Sequence, residues 1–169
     1  RTARLSMVRR IDEHFADTAQ TTGIAQMGQA LREALLSVPR ERFVEESTER
    51  LAYAASALPI GFGQTISQPF IVALMIELSH AGSESRVLEV GTGSGYEAAV
   101  LAAMVREVFT IERVQALAER SVRRLAEFGV DESHIRWGDG FEGWEAVAPF
   151  DAILVTACSR EVPEALLRQ

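Results

Sequence analysis

The stretch Arg86-Val87-Leu88-Glu89-Val90-Gly91-Thr92-Gly93-Ser94-Gly95-Tyr96 reads as a short apolar strand, a glycine turn and the start of a helix. Glycines at alternate positions let the chain turn tightly and bring bare backbone against a ligand. The following segment, alanine-rich over 96–105, predicts a helix whose start offers free N–H groups and a partial positive charge. A second strand, Val108-Phe109-Thr110-Ile111, runs into Glu112, 21 residues after Gly91. A carboxylate at the carboxyl edge of an adjacent strand suits hydrogen bonding to ribose hydroxyls. Together these features point to an adenosine-type cofactor held at the carboxyl ends of the strands.

The same alternation continues outward. Val114, Leu117, Ala118, Val122 and Leu125 form one helical stripe, ended by Gly129. Ile135-Arg136-Trp137 is a third strand and Ala152-Ile153-Leu154-Val155 a fourth, apolar enough to be central and buried. Upstream, Ser67-Gln68-Pro69 predicts a helix start with Ser67 as a capping oxygen, opening a helix over 70–80 closed by Ala81-Gly82. Strands separated by helices imply right-handed crossovers and a parallel sheet with helices on both faces. Residues 1–60 read as helical instead, with Met7, Val8, Ile11 and Phe15 at helical spacing. Met27, Ala30, Leu31, Ala34 and Leu35 make a second stripe that stops ahead of Val38-Pro39. Leu58-Pro59-Ile60-Gly61-Phe62-Gly63 is turn-rich and is expected to be irregular.

The expected fold is therefore α/β: a doubly wound, mostly parallel, Rossmann-like sheet with N-terminal helices. Residues 1–66 form a helical segment and a substrate/cofactor loop, and residues 67–169 form the binding core. The chain stops inside a helix expected over 163–169, so further C-terminal strands are expected beyond it.

Glycine spacing decides which cofactor. A dinucleotide fingerprint runs G-x-G-x-x-G and leaves room for a pyrophosphate. Here Gly91, Gly93 and Gly95 run G-x-G-x-G, with Glu89 two residues ahead. That acid repels a pyrophosphate but serves an ammonium. S-adenosylmethionine, with an ammonium and a sulfonium, fits better than a nicotinamide dinucleotide. After the third strand, Gly138-Asp139-Gly140 is a turn at the same sheet edge. There Asp139 either accepts from an adenine amino group or bonds its own backbone.

Composition narrows the classes. The chain has 169 residues, all 17 of its basic side chains are arginine, and 24 acids bring the net charge to −7. No lysine is present for Schiff-base or P-loop chemistry, and the acidic balance argues against a nucleic-acid footprint. One cysteine, Cys158, excludes a disulfide framework and multi-thiolate metal sites; no metal is expected. Cys158 is expected to pack as a small hydrophobe, and Trp137 and Trp144 to pack as well. Arg120, Arg123 and Arg124 are expected on a solvated helix face. No apolar run is long enough to span a bilayer, and no signal-peptide core follows the basic N-terminus. A monomer in the cytoplasm, away from membranes and nucleic acid, is expected.

With the segments before them, these residues resemble the protein-L-isoaspartate O-methyltransferase family. The likeness is carried by Val38-Pro39-Arg40-Glu41-Arg42-Phe43-Val44, by Gly63-Gln64-Thr65-Ile66-Ser67-Gln68-Pro69, and by the glycine loop. Gly138-Asp139-Gly140 and Pro149-Phe150-Asp151-Ala152-Ile153 follow in the family's order. The resemblance implies methyl transfer from S-adenosylmethionine to the free α-carboxylate of L-isoaspartyl, and by extension D-aspartyl, residues in damaged peptides and proteins. The ester then closes to a succinimide that partly hydrolyses to normal aspartate. It implies Ser67 as the active-site residue, with Gln64, Thr65 and Ile66 against cofactor and substrate. Glu89, Gly91, Thr92, Gly93 and Gly95 line the donor pocket, Glu112 holds the ribose, and Asp139 and Gly140 meet the adenine. A methyltransferase acting on a small molecule and a non-catalytic adenosyl-binding module are the competing readings.

Overall fold

A computed structural model describes residues 2–158 and 161–169. Two helices open the chain, α1 (Thr2–Thr22), which buries the expected Met7, Val8, Ile11 and Phe15, and α2 (Gln29–Ser37), which buries Leu31, Ala34 and Leu35 but leaves Ala30 exposed and starts after Met27, itself buried ahead of the helix. Helix α2 ends where Val38 turns extended ahead of Pro39.

The segment expected to be irregular is a hairpin. Strand β1 (Leu58–Gly61) pairs antiparallel with β2 (Gln64–Ile66). Gly61, Phe62 and Gly63 all take positive φ, so the glycines serve only the tip. Leu58, Ile60 and Ile66 are buried and hold the flanks down. Pro59 is tolerated because a two-stranded ribbon consists of edges.

Helix α3 (Pro69–Leu78) follows, with Pro69 in its first turn. It stops short of the expected end because His80, not a glycine, takes the left-handed conformation. Then come β3 (Arg86–Val90), α4 (Tyr96–Ala102), β4 (Glu107–Glu112), α5 (Gln115–Ala126), β5 (Ile135–Trp137), β6 (Ala152–Val155) and a short α6 (Glu164–Leu167).

The four strands β5-β4-β3-β6 form one parallel sheet. From β3 the chain steps to β4 and β5 on one side, then returns to place β6 on the other. That makes β3/β6 the topological switch point, where open α/β sheets bind ligands. Alternation along β3 sends Val87 into the core shared with α1 to α5 and Leu88 into a second core with Phe109, Ile111 and Leu166 of α6.

Three expectations change here. Strand β6 borders the sheet among the described residues, with only Leu154 fully buried. Trp137 is 60% exposed, its indole N–H donating to Arg113 O at 3.2 Å. Cys158 is exposed because it lies beyond the strand end. No described helix is long and apolar enough to cross a membrane.

Candidate active site

An open cleft lies at the carboxyl ends of β3 and β6, where the switch point of an α/β sheet binds its ligands. The hairpin and the start of α3 deliver Thr65, Ile66, Ser67 and Val72 to it. The turn after β3 supplies Gly91, Thr92, Gly93 and Ser94, and β3 itself supplies Glu89. Tyr96 and Glu97 enter from α4, and Thr156 from the end of β6.

Seven of the expected site residues thus meet: Thr65, Ile66, Ser67, Glu89, Gly91, Thr92 and Gly93. The other five do not line this cavity. Gln64 is exposed at the hairpin tip. Gly95 (φ +86) caps α4 and leaves room for Leu125, whose Cγ lies 3.3 Å from where a Cβ would stand. Glu112 is buried behind the loop, accepting from Gly93 N at 2.7 Å and Val114 N at 2.8 Å. Asp139 accepts from Phe141 N at 3.0 Å, the backbone-turn alternative. Gly140 sits so close to β3 that a Cβ would come 2.2 Å from Val90 Cγ1.

Ser67 does not cap α3. The cap position belongs to Gln68, which makes no side-chain cap bond. The Ser67 hydroxyl forms no hydrogen bond to another described residue, while its carbonyl accepts from Arg40 Nη2 at 2.6 Å. Arg40 is fully buried, lies over the Tyr96 ring at 4.8 Å from the centroid, and also donates to Ala52 O at 2.8 Å.

Two of the arginines expected on a solvated face instead tie α5 to the loops that flank the cleft. Arg120 donates to Glu45 at 2.6 Å and to Ile60 O at 2.5 Å, fastening the hairpin to α5, and Arg124 leans toward Ser94 O at 3.4 Å.

Charge inside the cleft has one sign. Glu89 is 1% exposed and accepts from the Thr110 hydroxyl at 2.6 Å, which meets Thr92 Oγ1 at 2.6 Å. Burial, then repulsion from Glu97, raises the Glu89 carboxyl well above the usual carboxylate range. Burial alone pushes Glu97 up to about 8. Its Oε1 and the Tyr96 hydroxyl are buried without a partner among the described residues. Among the described residues, no basic side chain lines the cleft. The N–H groups of Gly91 and Thr92 go to Ile111 O and that of Gly93 to Glu112, so the loop offers no anion cradle there.

Bare backbone, orphaned polar atoms and buried acids fit a cationic nucleoside and oppose a pyrophosphate. Ser94, Tyr96, Glu97 and Thr156 were not singled out from sequence. The first three lie on or just past the glycine loop, and Thr156 follows β6 as Gly91 follows β3, so the switch-point rule could have found them.

The Glu97 shift has a sign in stability. Between 4.5 and about 8 the folded chain holds a proton at Glu97 that the unfolded chain has lost, so stability falls as pH rises through that window. Glu97→Gln removes the titration. Urea unfolding at both ends of the window should show the variant gaining on the wild type with pH, by at most about 4 kcal/mol. A constant gap would contradict the shift.

The sequence profile of the protein-L-isoaspartate(D-aspartate) O-methyltransferase family matches residues 10–169. Protein-L-isoaspartate O-methyltransferase 2 of Syntrophobacter fumaroxidans is 49% identical over 167 residues, covering 99% of this chain and 68% of the relative. The Klebsiella pneumoniae protein-L-isoaspartate O-methyltransferase is 48% identical over 163 residues, covering 96% and 77%. A solved protein-L-isoaspartate O-methyltransferase superposes with TM-score 0.76 at 28% identity, over 94% of this chain and 51% of that one.

Proposed function

Since the chain belongs to the protein-L-isoaspartate(D-aspartate) O-methyltransferase family, we propose that it methylates the free α-carboxylate of L-isoaspartyl residues in damaged proteins. S-adenosylmethionine, when bound, supplies a methyl group already activated on a sulfonium.

The chain's own part is to bind, orient and exclude water. Glu112 keeps a lone pair on each oxygen beyond the two N–H bonds it accepts, which suits ribose hydroxyls. Gly91 and Gly93 present bare backbone at the cleft floor, and Asp139, one oxygen of which accepts from Phe141 N, stands with Gly140 at the neighbouring strand end for the base. The acceptor carboxylate is ionised at pH 7, so the site needs no general base. That accounts for a cleft that holds carboxyls, hydroxyls and glycine but no histidine. Ser67, with its hydroxyl uncommitted and its carbonyl anchored by Arg40, donates to the acceptor carboxylate and aims it. Bringing oxygen and methyl carbon into line is then the main contribution.

The observation that carries this reading is the acidic cleft at the β3/β6 switch point, with the uncapped Ser67 on its rim. Labelled S-adenosylmethionine should place methanol-releasing label on an isoaspartyl peptide and not on its normal-aspartate twin. Label on both peptides, or on neither, would overturn the proposal. Ser67→Ala is expected to lower turnover about 100-fold, the scale of one lost oriented donor. S-adenosylhomocysteine affinity by calorimetry should stay within a few-fold. Equal losses in both would make Ser67 a structural residue.

A further inference from the structure

The two acids that line the cleft, Glu89 and Glu97, are used by none of the handling of sugar, base and acceptor. Glu97 is 7% exposed, its Oε1 has no partner, and among the described residues no ion pair reaches it. It shares the cleft wall with Glu89, which is 1% exposed and bonded to Thr110.

Among the described residues, no ionisable group packed around α4 forms an ion pair with it. From β3 comes Glu89 itself, and from β4 comes Glu112, whose oxygens take Gly93 N and Val114 N. On α2, Arg32 is spent on Asp12. Arg40 lies over the Tyr96 ring and donates to Ala52 O and Ser67 O; its Nη1 is buried without a partner, and no ion pair joins it to a described carboxylate. On α5, Arg124 points to Ser94 O and Arg120 to Glu45 and Ile60 O. Two buried carboxyls that repel each other cannot both ionise without a cation between them.

We propose that Glu89 and Glu97 form a proton-exchanging cation site, in which a positive group of the ligand enters beside the pair and Glu97 gives its proton to solvent. The inference rests on the methyltransferase reading. One O–H bond breaks at Glu97, the electron pair stays on the carboxylate, and the proton goes to the buffer. The ligand's positive charge replaces the proton's, so the site's net charge is unchanged. The cation is either the ammonium, which donor and demethylated product share, or the sulfonium, which only the donor carries. In the second case, methyl transfer removes the cation, Glu97 takes its proton back, and the product is held less tightly than the donor.

The test is titration calorimetry of wild type and Glu97→Gln with S-adenosylmethionine and with S-adenosylhomocysteine. Each titration is run at pH 7 in phosphate and in Tris, whose ionisation enthalpies differ, so proton release is read directly. The wild type is expected to release close to one proton per donor bound, with affinity rising about tenfold per pH unit from pH 5 to 7. Glu97→Gln should bind without that release and with a flatter profile. Release with both ligands assigns the ammonium, and release with the donor alone assigns the sulfonium.

Equal release in both proteins, or none in the wild type, overturns the inference and leaves the methyltransferase reading standing. Failure of the wild type to take up either ligand overturns both. Infrared difference spectra of the wild type alone give a second readout, independent of the variant's folding. Ligand uptake should bleach the carbonyl stretch of a protonated carboxyl, and an unchanged band overturns the proposal.

Discussion

Gly91→Ala is expected to destabilise the protein by about 2–4 kcal/mol and to abolish measurable donor binding. Gly91 takes φ +107, a conformation side chains rarely adopt and one that costs about 1–3 kcal/mol when forced. The new Cβ would also stand 2.7 Å from Thr156 Oγ1 and 3.1 Å from Ala157 N and Cβ. Thr156 cannot swing aside freely, because its hydroxyl bonds to Gly91 O at 2.8 Å and Val90 O at 3.1 Å. Relief therefore has to come from the strand ends, which are the floor of the cleft.

Gly93→Ala is the control. Its φ of +54 lies in the left-handed region, and the nearest foreign atom to its Cβ would be Ile60 Cδ1 at 3.6 Å, an ordinary contact. It should cost about 1 kcal/mol. Urea unfolding and calorimetric titration check both variants. Wild-type stability in Gly91→Ala would refute the packing argument.

Arg40→Met should cost about 2–5 kcal/mol, although methionine is the easier side chain to bury. Desolvation is the main force on this guanidinium, lowering it to about 10 against the support of Tyr96. Removing the charge relieves that burden. It also strands two carbonyls, Ala52 O and Ser67 O, each worth about 1–3 kcal/mol when left unpaired. The orphaned carbonyls outweigh the relief.

Arg40→Lys keeps the charge but not the fork that spans both carbonyls, so an intermediate loss is expected. Because one carbonyl belongs to Ser67, kcat should fall in Arg40→Lys while S-adenosylhomocysteine affinity holds. Turnover that tracks only the folded fraction would reduce Arg40 to a core residue.

What could be read locally was legible. The β3 strand, its glycine turn, β4, the stripe of α1 and most of the stripes of α2 and α5 follow from short-range period and from glycine placement, and both act within a few residues; Ser121, buried on α5 where Val122 was expected, does not. The hairpin was missed because its tip glycines masked the buried flanks Leu58, Ile60 and Ile66. Ser67 was read as a cap because the residues around it also satisfy a helix-start pattern, and only the backbone at Gln68 and Pro69 separates the two. Arg120 looked solvated because its partners, Glu45 and Ile60, lie 75 and 60 residues away.

By itself the sequence determined a parallel α/β sheet, the turn that exposes bare backbone at its edge, and the acid that follows at the next strand end. These depend on periodicity and on backbone freedom, which each residue carries with it. Tertiary structure alone decided that Thr156 closes the floor, that Arg40 lies over the Tyr96 ring to hold Ser67, and that Glu97 shares a buried wall with Glu89. Burial and electrostatic coupling are properties of neighbours in space. Thr156 took its place when the chain crossed back from β5 to set β6 beside β3.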